Sequence, residues 1–105
     1  MESWDIGSLD VEAHHPQVLC TDDDSRAIAI RLPDGEEMQE HEVHENTYLL
    51  VAQGEVEIVQ DGNSTPAGAG FLAHFAPHER RQVKATSDAR LVMILAPYPA
   101  PTRRS

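Results

Sequence analysis

The chain has 105 residues, 40% of them hydrophobic and 25% charged, with a formal net charge of −10 at pH 7. That length fits one domain with one core, and the composition is that of a globular protein rather than a disordered chain. The acidic balance argues against nucleic acid and anionic membranes as partners, because binding phosphates takes Lys and Arg to displace counterions. A single cysteine, Cys20, excludes an internal disulfide and fits a reducing cytoplasm.

The opening "MESWDIGSLDVEAHH" is acidic and mixed, unlike the basic start of a signal peptide, so a cytoplasmic location is expected. An N-terminal arm over 1–20 holds Trp4, Ile6, Leu9 and Val11, enough apolar content to dock, with a partner subunit as one place for it. His14 and His15, beside Pro16, read as surface loop. The turn "TDDDS" follows; Asp22, Asp23 and Asp24 lack the glycine and distal glutamate of a calcium loop and read as a solvated turn. "AIAIRL" (27–32) is the first apolar run and predicts a strand, ended by the turn "LPDGEE" (32–37). Next comes "QEHEVHEN", with His41 and His44 three apart, just ahead of "TYLLVA" (47–52), a second strand. After Gln53–Gly54, "EVEIVQ" (55–60) alternates, with Val56 and Ile58 inward and Glu55 and Glu57 outward. Asp61–Gly62 is a tight-turn dipeptide that makes this region the middle of a hairpin meander. "AGAG" (67–70) is a further turn, and "RLVMILAP" (90–97) reads as a strand covered on both faces. The tail over 97–105, with three prolines and two arginines, is expected to fray or lie on the surface.

No segment shows a capped helical stripe of ten or more residues. Short strands between Gly and Asp turns predict an all-β sandwich or barrel, one domain over 1–105 with its core at about 27–96.

Two motifs in this order resemble the cupin superfamily, in its small, single-domain form. Gly35, five residues, then His41 matches the opening of the family's first motif, and Gly54 closes it at the proper distance. Between them Val43 stands at the second histidine position, with His44 one residue late. Thr47 stands at the glutamate position, with Glu45 two residues early. In "GAGFLAHFAPHERRQV" (68–83), Pro77–His78 resembles the Pro-His of the second motif. Ala73 and Phe75 replace its Pro and Gly, Gln82 stands for its Asn, and the Gly68 to His78 spacing is one residue short. The resemblance implies a double-stranded β-helix, or jelly-roll, barrel, and a homodimer, which would also pair open sheet edges.

The resemblance also implies a divalent transition metal (zinc, nickel, iron or manganese) held at the barrel mouth by histidines and a glutamate, donors that suit such ions. His41 and His78 map onto two ligand positions. His44, Glu45 and His74 are the candidates to complete the set. Strand parity puts Glu45 on the His41 face and His44 on the other, unless a bulge or turn near Val43–His44 reverses it. The mouth should open onto a cavity lined by Leu49, Val51, Val43 and Phe75 or their neighbours. Arg80, two residues from His78, could hold a carboxylate there, against the plainer reading that Arg80 and Arg81 are surface charges. Three functions stay open: a metal-assisted enzyme acting on a small organic compound, a metal-free module binding a small-molecule ligand, and an interaction domain with an acidic surface. The sequence does not decide whether the chain is an enzyme.

Overall fold

The computed structural model describes residues 1–13, 15–41 and 43–100, with the backbone alone at Gln39, Glu40 and His41. Nine strands appear among them: β1 (Gln17–Thr21), β2 (Arg26–Leu32), β3 (Glu37–His41), β4 (Asn46–Gln53), β5 (Glu55–Gln60), β6 (Asn63–Gly68), β7 (Leu72–Phe75), β8 (Arg81–Ala85) and β9 (Ala89–Ala96). They form two antiparallel sheets, ordered β1-β2-β9-β4-β7 and β3-β8-β5-β6, the all-β jelly roll that the sequence predicts. Among the described residues no helix is long and apolar enough to cross a membrane.

Period-two patterning explains which side chains fill the space between the sheets. Leu49 and Val51 of β4, Val56 and Ile58 of β5, Val83 and Ala85 of β8, and Leu91, Met93 and Leu95 of β9 are all buried in one core. Alternate residues along each strand face the same way, so each of these series lines a single face. The β9 run departs from expectation here. Ile94 is exposed and Val92 is only half-buried, because the outer face of the first sheet has no layer over it. Tyr48, Leu50, Leu72 and Ile94 are exposed together on that face, with Tyr48 opposite Ile94 and Leu50 opposite Leu72.

The predicted turns form, each for a local reason. Asp61 (φ 50°) and Gly62 (φ 78°) link β5 to β6 as a two-residue hairpin turn, whose two left-handed positions suit this dipeptide. The Asp22 carboxylate accepts hydrogen bonds from the amides of Asp24 (2.8 Å) and Ser25 (2.7 Å) and from the Ser25 hydroxyl. Those donors hold its pKa below the ordinary aspartate value, the Asp24 amide most of all. Gly54 closes the β4–β5 turn at φ 81°, and a Cβ there would meet the Asp88 carbonyl oxygen and lie 2.8 Å from the Ala89 Cα. Only glycine combines that conformation with so close a backbone approach. "AGAG" is a turn only in its second half: Ala67 and Gly68 end β6, and Gly70 (φ 93°) makes the turn.

The termini pack more closely than their sequence suggests. The N-terminal arm docks on its own domain, with Val11 buried and the Arg90 guanidinium donating to the carbonyls of Ile6 and Leu9. Within the described part of the C-terminal segment, Ala100 is buried. The Tyr98 amide donates to the Asp24 carbonyl (3.0 Å), and the Arg26 guanidinium lies 4.2 Å from the centre of the Tyr98 ring. Apolar content and available backbone partners, rather than proline count, decide where this tail goes. Arg103 and Arg104 lie outside the described residues.

Candidate functional site

One end of the barrel gathers the start of β4, the end of β7, the start of β8 and the ends of β3 and β9. The register places them there: His41 pairs with Arg81, Thr47 with Phe75, and Asn46 with Ala96. Every buried polar or charged residue among those described, Glu45, Thr47 and Arg81, belongs to this end.

The β7–β8 loop forms its rim. The His78 amide donates to the Val43 carbonyl (2.7 Å), which ties the loop to the segment leading into β4. Glu79 shapes the loop from within: its carboxylate accepts from the Ala76 amide (2.9 Å) and from Gln60 Nε2 (2.8 Å). Chiefly the Gln60 bond, then the Ala76 bond, lowers the Glu79 pKa from its ordinary value. His78 itself sits at φ 69°, a left-handed conformation that non-glycine residues adopt at a cost and that concentrates at functional sites. Its imidazole meets that of His44 edge to face, with ring centres 5.1 Å apart.

His44 and His78 are therefore neighbours, as the metal reading requires, and the chain bends at His44–Glu45 just ahead of β4. Val43, Glu45, Thr47, Leu49 and Val51 are all buried, so alternation holds, and the loop rises to meet the half-buried His44. Glu45 points inward, and its Oε2 accepts a hydrogen bond from the Ala100 amide (3.0 Å). His41 ends β3 opposite Arg81, and its side chain lies outside the described residues, as does the whole of His14. His74 does not join the group. It lies exposed on the outer face, its Nε2 2.9 Å from the Asn46 Oδ1 and its ring 4.9 Å from that of Tyr48. Parity explains this: Phe75 takes the inward position, so its neighbour on β7 faces out. His15 is exposed, as expected of a loop. Among the described residues no three His, Cys, Asp or Glu side chains form a group that could hold a metal ion.

The predicted cavity also needs correcting. Leu49, Val51, Val43 and Phe75 are core residues 0–8% exposed, so they line no open cavity at the mouth, although Phe75 borders a cleft at the side. Clefts instead follow the seams between the sheets. One of about 200 Å³ lies between β2 and β3, lined by Ile30, Leu32 and Met38 with Pro16. Another of about 280 Å³ lies between β6 and β7, lined by Thr65, Phe71, Ala73 and Phe75.

Arg81 is the residue that sequence reasoning missed. Arg80 is exposed, whereas Arg81 is only 3% exposed and shares the inward face of β8 with Val83 and Ala85. The signal was present in that alternation, Arg81-x-Val83-x-Ala85. The guanidinium carbon lies 4.7 Å from the centre of the Phe75 ring, and Nη2 points to the Met93 sulfur at 3.7 Å. Burial lowers the Arg81 pKa from its ordinary value, partly opposed by the charge of Glu79.

A jelly roll with a histidine-lined rim defines a class of small β-barrel proteins. The cupin domain family model matches residues 29–97, and the chain belongs to that family, whose members often bind metals. Its fold is similar to an RmlC-like cupin from Desulfovibrio desulfuricans (TM-score 0.83, 19% identity, covering 92% of this chain and 97% of that one). It is also similar to a protein with a double-stranded β-helix domain from Klebsiella pneumoniae (TM-score 0.82, 20% identity, 95% and 93% covered). A cupin superfamily protein from Desulfitobacterium hafniense follows (TM-score 0.77, 17% identity, 87% and 85% covered). No curated protein matches the sequence.

Proposed function

We propose that this chain is a ligand-binding cupin whose site is the rim and inner wall of the barrel end built from His44, His78, Glu45 and Arg81. A divalent transition metal would be held there by His44 and His78, with His41 as the third donor. The observation behind this reading is the 5.1 Å approach of the His44 and His78 rings. It brings two imidazoles from separate parts of the chain together at a loop held in a strained conformation. Two neighbouring imidazoles fit zinc, nickel, iron or manganese as a donor set. Such an ion, when bound, supplies Lewis acidity toward a carbonyl or a bound water. Glu45 would steady the site rather than ligate, since its carboxylate already receives the Ala100 amide. His74 has no part in it.

Calorimetric titration of the untagged protein with zinc, nickel, iron(II) and manganese tests the reading. One ion per chain is expected for at least one metal, with binding lost in the His44→Ala, His78→Ala double variant. No binding of any of the four, or binding indifferent to the two substitutions, sinks it. The second reading, a metal-free binding module, draws its support from Arg81, whose buried charge needs no metal to recognise a ligand.

A further inference from the structure

Resting on the reading of this barrel end as a ligand site, we infer that the ligand is a small organic carboxylate, received by the Arg81 guanidinium and the Thr47 hydroxyl. Arg81 is a buried cation that forms no ion pair among the described residues: its contacts are the Phe75 ring face and the Met93 thioether. A guanidinium has five N–H donors in a planar fork. A ring face and a thioether sulfur are weak acceptors, so most of that donor capacity is unmatched among the described residues. Buried charges ordinarily come with an opposite charge and full hydrogen bonding. The fork is built for a carboxylate, which it meets through two parallel bonds.

Thr47 points to the same place independently. It is fully buried, and its Oγ1 has no hydrogen-bond partner among the described residues. Unsatisfied buried hydroxyls are rare in native proteins and call for a reason. The register shows how close the two groups come. Phe75 is the β7 partner of Thr47, and Met93 is the β9 partner of Leu49. β4 lies between β7 and β9. A guanidinium touching Phe75 on one side and Met93 on the other therefore spans β4 at Thr47 and Leu49. One cation and one hydroxyl donor thus face the apolar side chains of Phe75, Leu49 and Met93, with the Glu45 carboxylate, which receives the Ala100 amide, two residues before Thr47 on the same face.

That donor set favours a carboxylate over phosphate. A phosphate dianion presents more oxygens and more charge than one guanidinium and one hydroxyl can match. Its second negative charge would double the repulsion that a monocarboxylate meets from the buried Glu45, two residues from Thr47 on the same face, in a chain of net charge −10. A small monocarboxylate suits both the charge and the Phe75, Met93 and Leu49 surroundings, and it enters only as these side chains shift, since Thr47 and Arg81 are 0% and 3% exposed.

The test is NMR titration of the full chain, following the Arg81 Nε–H resonance, with acetate, pyruvate and benzoate against acetamide, benzamide and inorganic phosphate. Ionic strength is matched and EDTA is present. At least one carboxylate should shift that resonance and bind about tenfold or more tightly than its amide and than phosphate. Arg81→Met should remove that preference and Arg81→Lys reduce it. Thr47→Val, a change of similar shape, should weaken carboxylate binding several-fold without unfolding the protein. The inference is overturned if no carboxylate binds, if amides or phosphate bind as well, or if the preference survives in a folded Arg81→Met variant. Repeating the titration with the His44→Ala, His78→Ala variant separates the two readings. Carboxylate binding that persists there upholds the Arg81 assignment whatever becomes of the metal. Carboxylate binding that needs added zinc and ignores Arg81 overturns this inference and leaves the metal reading standing.

Discussion

At one end of the barrel Gly54 lets two turns meet backbone to backbone; at the other, Glu45, Thr47 and Arg81 put polar atoms where only apolar ones are easily kept. Around Gly54 the hydrogen bonds are conventional and local to the closure. The Glu55 amide donates to Ser87 Oγ, the Thr86 amide to the Glu55 carbonyl, and the Gly35 amide to the Ala85 carbonyl. The opposite end tolerates a left-handed histidine and, among the described residues, an unmatched hydroxyl and a buried cation without an ion pair. Local cost is thus unevenly divided along the barrel axis: one end closes the fold, and the other, where the proposed site lies, holds strained and unmatched groups.

Substitutions can break or sharpen that division. Gly54→Ala should have the largest effect, since it combines a left-handed alanine with a clash against Asp88 and Ala89. A loss of about 2–5 kcal/mol is expected in chemical denaturation, and a loss below about 1 kcal/mol would mean that the closed end relaxes easily. His78→Gly should act in the opposite sense. Relief of the left-handed strain, less the added freedom of the unfolded chain, should leave stability unchanged or raised by up to about 1 kcal/mol. Metal titration of the same variant should show weakened binding. A clear destabilisation would place His78 among the structural residues and erase the contrast.

The smallest effect concerns Asp22, whose turn also anchors the C-terminal segment through the Asp24 carbonyl. Its folded pKa is lowered by amide and hydroxyl donors. The stability it contributes is therefore fully present above the ordinary aspartate value, and it is lost as the pH falls through the lowered folded one. Thermal midpoints of the wild type and of Asp22→Ala should differ slightly at neutral pH and converge on acidification. A gap that stays constant down to the acid limit would show that the carboxylate charge has no part in the turn.

Fold was legible where a local pattern sufficed. Val56 and Ile58 alternate with glutamates, and Asp61–Gly62 has the chemistry of its turn, so β5 and the hairpin to β6 could be read directly. β6 itself could not, because Asn63, Ser64, Thr65 and Pro66 have turn chemistry and become a strand only by pairing with β5. Tertiary context overrides propensity there. The site was half legible. The meeting of His44 with His78 depends on how high the β7–β8 loop rises, which no spacing encodes. Misreading Arg81 has a different origin. Charge was weighed above alternation, although Val83 and Ala85 already put that position on the inner face. Glu45 shows the same lesson from the other side, since Val43, Thr47, Leu49 and Val51 frame it at intervals of two.

The Ala100 amide resting on the Glu45 carboxylate has a practical consequence. An affinity tag carried on the chain beyond Ala100 would be tethered near that carboxylate, where its own histidines could capture a metal or occupy the barrel end. The amino-terminal arm is fastened by Arg90, at the start of β9 and so toward the Gly54 end. Fusions there leave the imidazoles and the guanidinium unobstructed, and the choice of terminus becomes a control in every binding measurement made on this chain.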